Sequence, residues 1–379
     1  RLAVQSALPL EYDDRTVLFR NSFHMGMPSI FIETGIVPGA NLVNAELESA
    51  NLASANLVSA NLASANLASA NLASAKLASA SLTSANLTGA TLSSANLSSA
   101  NLSNANLTRA NLTGATLTGA SLSNAKLQNA KLKKAVLNNA NLKGAVLKKA
   151  VLTKAKLSGA KLAKAELSRA KLSNAQLIGA NLKKAELNNA NLKKANLASA
   201  QLKRADLSKA DLNGAFLKDA NLKSAKLRKA DLKNAELNNA ILTSAKLKNS
   251  NLVDAKLVNA KLQKANLENS DLKNSNLTKS DLTKASLKRA NLLNANLSGA
   301  NLTSANLTFA NLTSANLTSA KLQNANLTNA KLTGANFNNV DLSNSNLSGL
   351  SGNKLSFCPR YFPEGWKCDE EKTLIEIES

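Results

Sequence analysis

The chain has 379 residues, 47 Lys and Arg against 24 Asp and Glu, one His, and a formal net charge of +23 with a pI near 10.0. Aromatics make up only 3%, and no stretch approaches the roughly 18 consecutive apolar residues of a membrane span. The charge attracts polyanions and acidic surfaces. No nucleophile elbow, phosphate loop or paired-carboxylate motif occurs, so an enzyme is the least expected class.

Residues 1–39 carry no repeat. They mix short apolar runs, such as Thr16–Phe19 and Ser29–Ile32, and end on the turn pair Pro38-Gly39. A cap over the first coil of a stacked array, or a docking segment for another subunit, is the expected role. His24 beside Met25 reads as structural. Arg1 stands where a Met would start a nascent chain, and both an omitted leader and a processed targeting segment agree with that.

From Ala40 to Gly349 a five-residue unit repeats in one frame, 62 times over 310 residues. Every fifth residue from Leu42 to Leu347 is Leu, except Phe337. The residue two before each is Ala, except Ser250, Ser270, Ser275, Ser280, Val340 and Ser345. A period of five fits neither an amphipathic helix nor a strand. On a helix the Leu stripe would rotate by roughly 140° per unit, so no face could be buried. The abundant Asn and Ser compete with helical backbone bonds. Short repeats of this kind bury their apolar residue only by stacking on neighbours, as in a solenoid.

The unit Ala-Asn-Leu-x-x, as in Ala50-Asn51-Leu52-Ala53-Ser54, resembles the repeat of the pentapeptide-repeat proteins, Ala-(Asp/Asn)-Leu-x-x. The resemblance covers about four fifths of the chain. It implies an all-β fold: a right-handed quadrilateral parallel β-helix, four units to a 20-residue coil, Leu and Ala inward and the other three positions outward. At the spacing of hydrogen-bonded strands, about 15 coils make a rod of roughly 75 Å. Ala suits a narrow interior. Asn can bond the turning backbone or ladder with the next coil. The resemblance also suggests a homodimer through the C-terminal end. Some members of that family mimic duplex DNA and bind a topoisomerase, which requires a negative surface, so that activity is not expected of a chain this basic.

Within the repeat, residues 40–125 are nearly uncharged and residues 291–349 return to Thr, Ser and Asn. Residues 126–290 hold 36 of the 47 basic residues and 11 of the 24 acids, which concentrates the whole positive charge in a belt. Stacking at 20 residues divides the belt among four sides. The first, centred on Leu142 and its equivalents, carries 11 basic residues and one acid, among them Lys143, Lys164, Lys183, Lys184, Lys203, Arg204, Lys223, Lys264 and Lys284. The second, centred on Leu127 and Leu147, has net charge +8, and the third, on Leu132 and Leu152, +5. The fourth, on Leu137 and Leu157, has only +2 and shows Val136, Ile178, Phe216 and Val258 outward. These basic and apolar-studded faces are the candidate interaction surfaces.

Glu166, Glu186 and Asp206 fall 20 apart, as do Asp211 and Asp231. Like charges stacked about 4.8 Å apart would suit a cation, but pairing with neighbouring Lys149, Arg169 and Lys209 is the stronger expectation. Ser250 and Ser270 stack at an inward position and need a backbone partner. Outward Thr303, Thr308, Thr313 and Thr318 fall on successive sides, which argues against an ice-binding face.

Residues 350–379 form the other end. Leu355, Phe357, Tyr361, Phe362 and Trp366 suit a C-terminal cap, followed by an acidic tail with Leu374, Ile375 and Ile377. Cys358 and Cys368, the only cysteines, are a disulfide candidate, which favours an oxidising compartment. Thirteen Asn-Leu-Ser/Thr sequons, Asn86 and Asn301 among them, would crowd the rod with glycans in a eukaryotic secretory route. A bacterial periplasmic or extracellular setting, or a plastid lumen, fits better.

The expected function is a non-catalytic scaffold, without metal or cofactor, that docks on other protein subunits with acidic surfaces. The alternative is nonspecific binding of a polyanion: nucleic acid, acidic polysaccharide or anionic lipid. The belt has 32 Lys to four Arg and almost no aromatics, which disfavours sequence-specific nucleic-acid recognition.

Overall fold

The computed structural model describes residues 38–377. The expected cap or docking segment at 1–39 lies almost wholly outside the described residues. From Asn41 onward, the residue before each Leu forms a parallel bridge with its counterpart 20 residues later, as in Asn41↔Asn61, Asn61↔Ser81 and Ser81↔Asn101. Four such columns of bridges run along the repeat, so four units make one turn of a repeat β-helix. Each side is a single bridged residue wide. The ladder is therefore a stack of isolated bridges, not of continuous strands.

Within a unit the chain turns at once. The N–H of the residue three after each Leu donates to that Leu's carbonyl, as in Ala45 to Leu42 at 3.1 Å. The second outward residue takes a left-handed backbone, with φ between 53 and 61° at non-glycine positions throughout the repeat. Asn, Ser and Gly tolerate this best, which accounts for their frequency there. Bonds between coils complete the backbone's needs: Leu62 N–H to the Ser81 carbonyl at 2.7 Å, Asn61 N–H to Ala40 at 2.9 Å.

The Asn before Leu does both jobs its chemistry allows. Its Oδ1 caps the N–H two residues on, as Asn71 does for Ala73 at 3.1 Å. Its Nδ2 reaches the coil below, as Asn71 to Asn51 Oδ1 at 3.2 Å. Inside, Leu and Ala form one continuous core along the repeat, each Leu contributing about 1.5–3 kcal/mol before entropy is set against it.

The core continues past the last unit through buried Leu350, Leu355 and Leu374, with Phe362 and Trp366 packed against it. Strand β1 (Trp366–Cys368) pairs antiparallel with β2 (Leu374–Glu376). Asn336 and Asp341 bridge to Phe357 and Tyr361, so the C-terminal segment lies on the final coil. Cys358 and Cys368 are joined by a disulfide, their Cα atoms 6.3 Å apart.

Of the inward serines, Ser250 and Ser270 donate to the carbonyls of Leu247 and Leu267, and Ser345 donates to that of Leu322. Ser275 and Ser280 are equally buried, and their hydroxyls have no partner.

Candidate functional site

The bridge column Asn141↔Lys161↔Asn181↔Gln201↔Asn221 places the first side's residues in register. Coil by coil, Ala163, Lys183 and Lys203 stack in one outward column, and Lys164, Lys184 and Arg204 stack in the corner column beside it. Together these six line one shallow groove of about 290 Å³. Ala163 is its floor, because a methyl stands where the next two coils carry lysines. Lys203 is half-buried and the other four cations are exposed. Sequence reasoning selected the five cations and missed Ala163. Its signal was a small residue interrupting a lysine column at 20-residue spacing. Lys143 and Lys223 flank the groove on the same side, and Lys264 and Lys284 stand further along it.

Ion pairing is sorted by side. Lys148–Glu166 (2.7 Å), Lys226–Asp206 (3.4 Å) and Lys248–Glu268 (2.9 Å) all lie on the second side, and Lys256–Glu236 (2.9 Å) on the fourth. Among the described residues, no cation of the first side makes an ion pair. Such exposed pairs contribute little energy, typically below about 1 kcal/mol. What they do is neutralise charge locally, and the first side lacks that.

The partners differ from expectation. Glu166 and Asp206 choose Lys148 and Lys226, not Lys149, Arg169 or Lys209. The latter three sit at the left-handed corners, where side chains point away from the bridge column. Lys148 lies in the adjacent outward column one coil earlier, and Lys226 stacks directly on Asp206. In the third column Asp231 accepts from Asn251 Nδ2 at 2.9 Å and from the Lys233 N–H, and Asp211 accepts from the Asn213 N–H. Asn and backbone donors thus relieve the stacked carboxylates. Among the described residues no group of three or more His, Cys, Asp or Glu could hold a metal ion.

Within the belt the first side's one acid, Asp281, accepts from the Thr283 hydroxyl (2.6 Å) and N–H (3.0 Å) and from Gln263 Nε2 (2.7 Å), not from a lysine. Burial acts to raise its pKa. The Thr283 and Gln263 bonds and the charge of Lys261 outweigh that, and the net shift is downward. Asp206 is lowered in the same way, by Ser208 and Lys226 against burial. Glu268 is lowered chiefly by its bond from Lys248. A carboxyl lowered in the folded state contributes stability that is present above its unfolded pKa and lost as pH falls through the folded one. The thermal midpoint should therefore be flat near neutrality and drop below about pH 4, where unperturbed carboxyls titrate. Asp281→Asn keeps an acceptor for Thr283 and should flatten that acid limb. An unchanged limb in a pH series would show that Asp281 contributes nothing to it.

On the fourth side Ile178 and Phe216 are 43% and 44% exposed, whereas Val136 and Val258 are half-buried. The apolar studding is therefore two side chains strong, not four. Sequence reasoning also missed Phe309, exposed at a left-handed corner with Arg289 over its ring at 5.7 Å. A large aromatic at a corner position that elsewhere favours Asn, Ser or Gly was the available signal. Among the described residues no helix is long and apolar enough to cross a membrane.

The family model for pentapeptide repeats matches eight stretches of the chain, 39–67, 55–93, 65–104, 95–133, 130–169, 170–208, 280–318 and 310–349. A model for a pentapeptide repeat region matches 215–297. No curated protein matches the chain. Among solved structures the chain is similar to HetL, a pentapeptide repeat protein involved in heterocyst differentiation regulation from the cyanobacterium Nostoc. Identity is 33%, over 59% of this chain and 88% of that one, with TM-score 0.34. It is similar to a pentapeptide repeat protein of the Arabidopsis thaliana thylakoid lumen at 31% identity, over 26% and 66%, with TM-score 0.17. It is also similar to the plasmid-mediated fluoroquinolone resistance protein QnrB1 at 18% identity, over 50% and 91%, with TM-score 0.33. With the repeat matched over most of its length, the chain belongs to the pentapeptide-repeat family.

Proposed function

We propose that this protein is a non-catalytic scaffold of a larger assembly, a right-handed four-sided rod of about 15 coils that docks other subunits along its sides. Residues 1–39 and 350–379 cap its ends, and the C-terminal end is the proposed site of homodimer contact. The observation that carries the reading is the sorting of charge. The belt's ion pairs fall on the second and fourth sides, while the first side keeps ten net positive charges with no partner among the described residues. Solubility alone needs charge, not its segregation. A partner with an acidic surface would find a complementary side, interrupted only at the uncharged unit 240–244, and Ile178 and Phe216 offer contacts on the next. The disulfide supports an oxidising compartment.

The native mass of the protein in gentle extracts of its source tests this. At low ionic strength it should run in a large complex and leave it as salt approaches about 1 M, where the screening length falls to about 3 Å. A monomer or dimer at both salts would overturn the reading. Release together with nucleic acid or polysaccharide would replace it with the polyanion alternative, which the net charge of +23 also favours.

A further inference from the structure

The groove over Ala163 has features that a flat docking side does not need. Its five cations, Lys164, Lys183, Lys184, Lys203 and Arg204, surround about 290 Å³. That is at the lower edge of small-ligand cavities, roughly 300–1,000 Å³, and holds about ten water volumes. Neighbouring coils repeat about every 4.8 Å, and unit charges at that spacing repel by about 1 kcal/mol even in water. No ion pair relieves the repulsion: of the nearby acids, Glu166 and Asp206 are engaged by Lys148 and Lys226 on the next side, and exposed Glu186, the acid of the middle coil, makes no ion pair with a groove cation. Lys164, Lys184 and Arg204 also hold left-handed corners, with φ of 61, 57 and 60°. A non-glycine residue there costs on the order of 1 kcal/mol, and Asn, which fits this backbone better, occupies the same corner column at Asn124. Cations hold such corners on the other sides too, Lys134, Lys149, Arg169 and Lys209 among them; what sets this place apart is three on consecutive coils, beside two more cations and over the methyl of Ala163.

We propose that this groove binds a short linear oligophosphate, the chemistry shared by free polyphosphate and the triphosphate tail of a nucleotide. Three observations select that class. The lining is wholly cationic apart from Ala163, with no acceptor side chain to take hydroxyl or amide donors. It contains no aromatic residue on which a base could stack, so phosphates and not bases are recognised. Four of the five cations are lysines, point charges that serve a closely spaced phosphate run without demanding the planar geometry of a carboxylate. This inference does not rest on the scaffold reading, because an assembly held by the whole side could persist with the groove empty.

Calorimetric titration of the full chain at about 0.1 M salt, where the screening length is about 10 Å, provides the test. The probes are inorganic tripolyphosphate, ATP, orthophosphate and hexaglutamate. Tripolyphosphate and ATP should bind alike, one per chain, and orthophosphate at least about tenfold more weakly, a gap of about 1.4 kcal/mol. The variant Lys183→Ser, Lys184→Asn, Lys203→Ser, Arg204→Asn uses residues the repeat already tolerates at those positions. It should lose at least about tenfold in affinity for tripolyphosphate, with its thermal midpoint unchanged or raised. A control on the second side, Lys149→Asn, Lys209→Asn, Arg228→Ser, Lys229→Asn, removes the same charge. It should lose less than about twofold if the groove and not the general field binds. Equal losses in the two variants, several equivalents per chain, hexaglutamate binding as tightly, or ATP binding much more tightly than tripolyphosphate would each overturn the proposal. Loss of the salt-labile complex in the control as well as the groove variant, with tripolyphosphate affinity retained in the control, would separate the two functions.

Discussion

Phe337→Ala should destabilise the C-terminal end of the rod by about 3–5 kcal/mol, the usual cost of truncating a buried aromatic. Phe337 is the one repeat centre that is not Leu, and it is fully buried. It sits where the regular stack gives way to the C-terminal segment, its N–H donating to the Phe357 carbonyl at 3.0 Å. The neighbouring inward position is also enlarged, from Ala to Val340. Both changes add volume where the next layer is an irregular loop and not another coil. Removing the ring would leave a void that a stacked ladder cannot close, because each coil is fixed by its bonds to the one below. In a solenoid the energy is nearest-neighbour, so the loss should be local. Amide exchange should quicken for Leu317, Phe337 and Leu342 and for the β1–β2 pair, and stay unchanged at the amides of residues 60–280. Phe337→Leu, which restores the ordinary unit, should lose less than about 1.5 kcal/mol. Uniform loss of protection along the rod would mean that the array melts as one unit and that this end is not independently anchored.

The repeat made the fold legible because one constraint acts 62 times. Leu at every fifth position can be buried only by stacking, so the 20-residue register, the inward Leu and Ala, and the double role of Asn all derive from the unit itself. The irregular ends are a different case. Nothing in residues 350–379 announces that Asn336 pairs with Phe357, a step of 21 and not 20, because that register depends on how one loop packs on one coil. The candidate site was half visible. Counting charge by 20-residue phase identified the first side and its five groove cations. It could not identify which acids pair with which lysines, since that depends on whether a side chain leaves from the flat column or from the left-handed corner. This is why Glu166 meets Lys148 and not Lys149. The groove itself is made by an absence, the methyl of Ala163 among lysines, and a charge count gives no weight to a neutral residue.

Ser275→Ala and Ser280→Ala should each stabilise the rod by about 1–3 kcal/mol, the desolvation cost of a buried hydroxyl without a partner. Both side chains are fully buried, both hydroxyls lack a partner, and both stand where most units of the rod have Ala. Ser250→Ala and Ser270→Ala give the opposite sign. There the hydroxyl donates to Leu247 or Leu267, and removal should cost up to about 1 kcal/mol, softened because each carbonyl keeps the N–H of the same serine. The comparison is internal: the same substitution at the same structural position, differing only in whether the hydroxyl is satisfied. Exchange rates at the amides of Leu272, Leu277 and Leu282, which bond to the coil above through Asn291, Asn296 and Asn301, would report the change where it arises. Faster exchange after Ser275→Ala would show that its hydroxyl has a partner, a buried water being the simplest. Because a nearest-neighbour stack is only as strong as its weakest interface, these two residues make the coil at the C-terminal edge of the basic belt, with Lys273, Lys279 and Asp281 on its outside, the place where the rod should open first. A partner gripping the belt would have to bridge that coil, and its binding should raise protection there more than anywhere else along the repeat.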